Sequence, residues 1–494
     1  MPPSRLPATF GILMTSFLAA IDVMPVGPAM PSVVADLGGA KRYFLVFSVF
    51  LVASTVMVPI FGRLSDIYGR MKLLLLGIVL FLGGSALCGL AGSLRMLILF
   101  RGIQGLGAGS LMTLGFTMLA DMYPLEQRAK MQGFLSGMWG LASLLGPLIG
   151  GFLTEHFSWR YVFYINLPVG VVAFLLIALT WRFEPKNPKP HRMDIAGACL
   201  FSLAMGSTLA GLATLAEREG GGTRAIVLLL VGILGAVCFL AVERRHPEPF
   251  VDLSLLRNRV FVGAACIGFF AAACLFAISA YGPMFIQGVV GSDPQEAGLA
   301  LTPMTLSWVA LSSLSGFLIL RIGYRILVTA GTIFILLGYA ALLGLSERST
   351  WTDAALRFSA VGAGLGCIMA PMLIATQNAV ARRQLGAATS MIQFLRSTGG
   401  SLALAVMGVL FAARLGPLES EIGFRAEEAL HPKVRATLSP ETLARLHDAL
   451  ASSIHQVFLV GALAAVLALG CTLLVPHGRA RDLAAPSLEK APGA

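Results

Sequence analysis

Three ionisable side chains lie inside long apolar runs of the sequence: Asp22, Arg101 and Arg396. A charge at membrane depth is costly unless it is paired or watered, so each is a functional candidate. Asp22 is the only acid so placed. A carboxyl taken out of water can bind and release a proton, which suits a carrier of coupling protons. The alternative is a structural Asp satisfied by helix ends freed at Pro25 and Pro28. Arg101 opens "RGIQGLGAG" and either meets a partner inside or reaches to the outer interface. Arg396, in "QFLRSTGGSL", counters Asp22 or a substrate anion, or faces the inner boundary. Met24, Gln104, Trp139, Tyr281, Gln287, Gln377, Asn378 and Gln393 are candidate cavity groups; singly, such residues also serve as helix–helix glue.

A second constellation is "FGRLSDIYGRMK" at 61–72. Gly62 and Gly69 permit close backbone approach, and Asp66 suits the N-terminus of a facing helix. Arg70, four residues on, is in reach of Asp66. The plain alternative is a positively charged connecting loop. A third is "GLASLLGPLIGGFL" at 140–153. Here Pro147 should kink a helix, and Gly146, Gly150 and Gly151 should form a packing groove. The glycines of 105–109 are no dinucleotide loop, because no strand precedes them.

The elements that hold these residues follow from composition. The 494 residues are 56% hydrophobic and 12% charged, with mean hydropathy +0.81. Soluble domains carry about 25% charged residues, so lipid must cover much of this chain. A run of ~20 apolar residues crosses a bilayer as a helix. Fourteen such runs are readable, the first at roughly 8–34 and the fifth at roughly 131–153. They are uniformly apolar rather than alternating, which excludes a barrel. The seven cysteines fall inside the runs without a CxxC pair, and the seven His show no metal-binding grouping. The first run is too long for a signal segment and is read as a retained span.

The net charge of +11 does not indicate nucleic acid. Segments between runs alternate between two sides, and 21 of the 36 Lys and Arg fall on one of them. By the positive-inside rule that side is cytoplasmic, as are both termini. The longest connection, about 414–453, is then external. Its stretch "LSPETLARLHDALASSI" should form a short interfacial helix capped by Ser439, either a linker or a contact for a periplasmic adaptor.

The halves repeat weakly. Gly62 and Gly69 match Gly316 and Gly323; Gly133 and Gly146 match Gly386 and Gly399, at nearly the same offset. Six-helix repeats are a transporter architecture with a midplane site between halves. Residues 1–182 are read as the first six-helix bundle, 183–259 as linkers and two inserted helices, 260–476 as the second bundle, and 477–494 as a cytoplasmic tail.

The loop Gly62, Leu64, Ser65, Asp66, Gly69, Arg70 resembles the span 2–3 signature of the major facilitator superfamily, with Ile67 replacing a basic residue. Arg101, Gln104, Gly105 and Gly107 resemble its span-4 signature. Gly146, Pro147, Gly150 and Gly151 resemble its antiporter signature. "WRYVFYINLPVG" (159–170) and "YGPMFIQGVVGSDPQEAGLALTP" (281–303) resemble the fourteen-span drug:proton antiporters, the EmrB/QacA-type branch. Asp22 and Pro31 match that branch's span-1 pattern, while Met24 and Gly27 depart from it. The resemblance implies an all-α integral membrane protein of fourteen transmembrane helices, not an enzyme, in the bacterial inner membrane. It implies a latch of Asp66, Arg70 and Asp121, proton coupling at Asp22 and Arg101, and export of small hydrophobic or amphipathic, cationic drugs. It needs no cofactor beyond the proton gradient. The rival is a narrow exporter of one metabolite or lipid precursor.

Overall fold

A computed structural model describes residues 5–23, 25–38, 45–181, 194–215, 221–246, 253–292, 294–346, 349–381, 384–422 and 439–477. These residues are helical nearly throughout, and no strand occurs among them. The first half holds α1 (Leu6–Val23), α2 (Val26–Leu37), α3 (Leu45–Tyr68), α4 (Arg70–Gly89), α5 (Leu94–Met122), α6 (Leu125–His156), α7 (Tyr161–Tyr164) and α8 (Asn166–Thr180). An inserted pair follows, α9 (Ile195–Leu215) and α10 (Gly221–Glu243). The second half holds α11 (Arg259–Phe285), α12 (Pro294–Leu299), α13 (Thr302–Ile322), α14 (Tyr324–Leu342), α15 (Trp351–Ala379), α16 (Leu385–Ile422) and α17 (Pro440–Cys471).

Local chemistry sets several helix starts. Ser93 accepts the Met96 N–H at 3.3 Å to begin α5, and Asn258 accepts the Val260 N–H at 2.9 Å to begin α11. Thr350 and Asp353 form a capping box on α15. The α3–α4 and α13–α14 turns are made by Gly69 and Gly323, at φ 96° and 81°. Side chains rarely adopt that region, so the matched glycines of the two repeats do the same work.

Each half has its own core. Ile12, Leu18, Phe61, Phe81 and Met118 belong to the first, and Phe261, Ile278, Tyr339, Phe358 and Phe458 to the second. The inserted pair sits over the seam: Phe201 of α9 packs with Val56, Val58 and Ile60 of α3, and its ring lies 5.1 Å from Phe394 of α16. Outward apolar side chains such as Ile226, Leu230 and Leu234 of α10 are exposed, as a lipid-facing surface requires.

Among the described residues, twelve helices are long and apolar enough to cross a membrane, against the fourteen expected. The shortfall falls on the first and fifth runs. The first is divided at the turn residue Pro25 into α1 and α2, and its counted apolar stretch is the shorter Leu6–Asp22. The fifth, α6, is a continuous helix of 32 residues, several of whose side chains lie outside the described residues. The expected short interfacial helix is also corrected. Ser439 does cap a helix, accepting the Thr442 N–H at 3.2 Å, but α17 then runs unbroken for 32 residues into the last span. The rest of that external loop, 423–438, lies outside the described residues, as do all of 182–193 and all but His477 of the 477–494 tail.

Candidate transport site

Asp22 lies one turn before the α1–α2 break and is 1% exposed. Its Oδ2 accepts from Arg101 Nη1 at 2.6 Å. Its Oδ1 accepts from Gln104 Nε2 and from Asn166 Nδ2, both at 2.7 Å. Ser85 Oγ closes the ring, accepting from Gln104 at 3.1 Å and Asn166 at 3.0 Å while donating to the Phe163 carbonyl at 2.9 Å. Arg101 also donates to Gln104 Oε1 at 2.8 Å and to the Val46 carbonyl at 3.3 Å, and its guanidinium lies 4.0 Å from the Phe50 ring centre. Five helices, α1, α4, α5, α7 and α8, or the turns beside them, thus converge on one carboxylate. A buried pair with its remaining lone pairs satisfied can persist; removing one partner leaves an uncompensated charge, which costs about 3–5 kcal/mol.

Asn166 and Ser85 were not singled out from sequence. Neither is charged, and a lone polar residue in an apolar run is ordinary. The available signal was "FYINLPVG", an Asn at the start of a span. Gln104, read as a cavity group, spends its amide on this network.

The second constellation forms across the halves. Asp66 accepts the Gly386 N–H at 3.0 Å and the Ala387 N–H at 2.9 Å, at the first turn of α16. Arg70 Nη2 reaches Asp66 at 3.2 Å, and Nη1 pairs with Asp121 at the end of α5. Gly62 makes the approach possible: a Cβ there would meet the Gly386 carbonyl at 2.8 Å and collide with Ser390. The same end is zipped by Arg128 to Asn378 at 3.0 Å and Gln132 to Gln377 at 3.0 Å. Gln377 and Asn378, read as cavity groups, therefore bridge the halves at this closed end. Asn378 also donates to the Tyr324 hydroxyl at 2.9 Å.

In the third constellation Gly150 and Gly151 differ in their contacts. A Cβ at Gly150 would lie 2.6 Å from the Pro25 carbonyl and 2.8 Å from its Cα, whereas one at Gly151 would meet nothing within 4 Å. Thus α6 presses on the break in the first run, directly beyond Asp22. Gly146 is buried, and Pro147 continues the same helix without interrupting it. Further along α6, a Cβ at Gly140 would sit 2.9 Å from Thr305, and one at Gly133 would sit 2.6 Å from Ser313, both on α13.

The remaining candidates scatter. Trp139 packs, partly buried, beside Ala20, Ile21 and Ala142. Tyr281 stands 5.3 Å from Phe411, and Gln287 is half-buried in the π-helical turn that continues α11. Gln393 accepts from Arg396 at 2.9 Å. Arg396 is therefore not the counter-ion of Asp22; Arg101 is. Met24 lies outside the described residues. Among the described residues no group of His, Cys, Asp and Glu is arranged to hold a metal.

At the opposite end, Asp36 accepts from Trp159 Nε1 at 3.0 Å and from Arg160 at 2.8 Å. The Arg160 hydrogen bond, followed by that of Trp159, holds its carboxyl below the ordinary carboxylate range.

An all-helical chain of two halves, closed on each other at one end and holding a buried ion pair, defines a membrane transporter. Residues 12–404 match the family model described as Major Facilitator Superfamily, and the chain belongs to that family. It is 34% identical over 409 residues to Multidrug transporter protein MdtP of Bacillus subtilis, covering 83% of this chain and 75% of that one. It is 31% identical over 500 residues to Multidrug resistance protein 3 of the same organism, covering 96% of each. A bacterial homologue of the human lysosomal transporter Spinster, solved inward-facing and occupied, superposes with TM-score 0.58 at 18% identity, covering 96% of this chain and 97% of that one; this likeness concerns the fold alone.

Proposed function

We propose that the protein is a proton-coupled exporter of small hydrophobic or amphipathic compounds, of the fourteen-span antiporter branch, in the bacterial cytoplasmic membrane. The observation that carries the reading is the Asp22–Arg101 pair, sealed by Gln104 and Asn166 beside the α1–α2 break. The reading takes α1 with α2, and α6, as the two further spans. The run at roughly 8–34, at ~1.5 Å per residue, is ample for a hydrocarbon core of about 30 Å. The Asp66 end is then cytoplasmic, because Arg63, Arg70, Lys72 and Arg128 cluster there. The state is closed inward.

Protonation of Asp22 would neutralise it and strand Arg101 as a buried cation, a state that favours rearrangement. The break at Pro25 is next in line, and α6 carries any shift through Gly150 to α13 of the second half. Alternating access then exchanges an inward proton for an outward substrate. One charge moved through 100 mV supplies ~2.3 kcal/mol. The expected preference for cations needs an open carboxylate, and in this state both oxygens of Asp22 are occupied. Relatives named for multidrug transport and resistance favour broad over narrow specificity.

The test is drug-driven proton release from everted vesicles with an acidic interior. Release by several chemically unrelated amphipaths is expected. Release by one compound class alone would move the function to the narrow exporter.

A further inference from the structure

Of the three ionisable side chains in the apolar runs, only two find each other among the described residues. Asp22 and Arg101 neutralise each other, and Arg396 of α16 remains. Its side chain turns inward between two other helices. Nη2 donates to the Met369 carbonyl of α15 at 2.6 Å, and Nη1 to Gln393 Oε1 at 2.9 Å. On the α11 side, a Cβ at Gly268 would lie 3.1 Å from Nε, so glycine keeps that face clear. Among the described residues Nε donates to nothing and no carboxylate pairs with this guanidinium. The side chain is still partly exposed rather than sealed. One turn along α16, Gly399 lies against the Phe269 backbone and Gly400 against the Phe276 ring of α11, which brings an aromatic face close to this site.

Carbonyl and amide oxygens orient a guanidinium but do not neutralise it. An uncompensated cation at this depth is costly, and an entering anion relieves that cost through charge-assisted hydrogen bonds. Arginine's fixed fork suits planar or tetrahedral oxyanions.

We propose that Arg396 is the anion-recognition residue of a substrate pocket between α11, α15 and α16, and that the exported compounds carry a carboxylate or sulfonate on a lipophilic body. This rests on the exporter reading above and reverses the charge class expected from the sequence. It also suits the energetics, because an interior-negative potential of ~100 mV favours a monoanion outside by roughly 50-fold.

The test uses the full chain in everted vesicles with an acidic interior. The probes are tritiated naphthalenesulfonate, naphthyltrimethylammonium and neutral naphthamide, each measured against vesicles lacking the protein. Gradient-driven uptake of the sulfonate should exceed that of the ammonium about tenfold, the scale of one charge-assisted hydrogen bond. Arg396→Gln should lower sulfonate uptake about tenfold and spare naphthamide, while Arg396→Lys should restore part of it. Wild-type preference for the ammonium overturns the proposal and leaves the exporter reading standing; this outcome needs no variant, so misfolding of Arg396→Gln cannot shield it. Unchanged sulfonate uptake in a folded Arg396→Gln protein overturns it equally. Uptake of none of the three contradicts the exporter reading, and the proposal with it.

Discussion

Asp66 of the first half caps the opening turn of α16 in the second: its Oδ1 accepts the Gly386 N–H at 3.0 Å. One carboxylate thus satisfies a helix N-terminus of the other half and receives Arg70 from its own. Loss of an N-terminal cap costs about 0.5–2 kcal/mol, roughly 2- to 30-fold in the ratio of closed to open states. Asp66→Ala should therefore raise maleimide labelling of a cysteine placed at Gln132 in a cysteine-free background. Unchanged labelling would show that the contact does not hold the end shut.

Gly150 and Gly151 are neighbours with opposite demands. Gly150→Ala must displace the Pro25 backbone or α6, whereas Gly151→Ala adds a methyl to open space. Overpacking of this kind costs about 1–3 kcal/mol. Export by Gly150→Ala should fall at least tenfold with expression retained, and export by Gly151→Ala should stay near wild type. Equal effects would remove the α6 contact from the mechanism.

Asn166 shares Asp22 Oδ1 with Gln104. A hydrogen bond to a charged group contributes about 1.5–3 kcal/mol, so Asn166→Ala should slow drug–proton exchange tenfold or more while naphthamide binding persists. If exchange is normal, Asn166 is packing only.

Asp36 is the ionisable clasp at the far end. Its carboxyl is held below the ordinary value of 3.8, so its contribution is complete above that value and lost as pH falls below it. Hydrogen exchange over 158–164 should therefore rise only in strong acid, and Asp36→Asn should leave the pH profile of export between about 5 and 8 unmoved. A shifted profile would mean that this clasp, rather than the buried pair, reads protons.

Much of this was legible because charge in an apolar run is conspicuous. Asp22 and Arg101 stood out singly, and each proves to be the other's partner. Asp66 was expected at a facing helix N-terminus and is found there, since Gly62 and Gly386 permit no other approach so close. Uncharged groups were harder. Asn166 and Ser85 look like many polar residues in spans, and only three-dimensional convergence marks them. Gln377 and Asn378 carried the right chemistry for a cavity but sit where the halves close.

The most direct measurement compares wild type with Asp22→Asn in everted vesicles carrying an acidic interior, following internal pH as transported compounds are added. Proton release in the wild type, absent from the variant although compound binding persists, is the predicted result. Release of equal size in Asp22→Asn would contradict the central claim and place the coupling proton on another group.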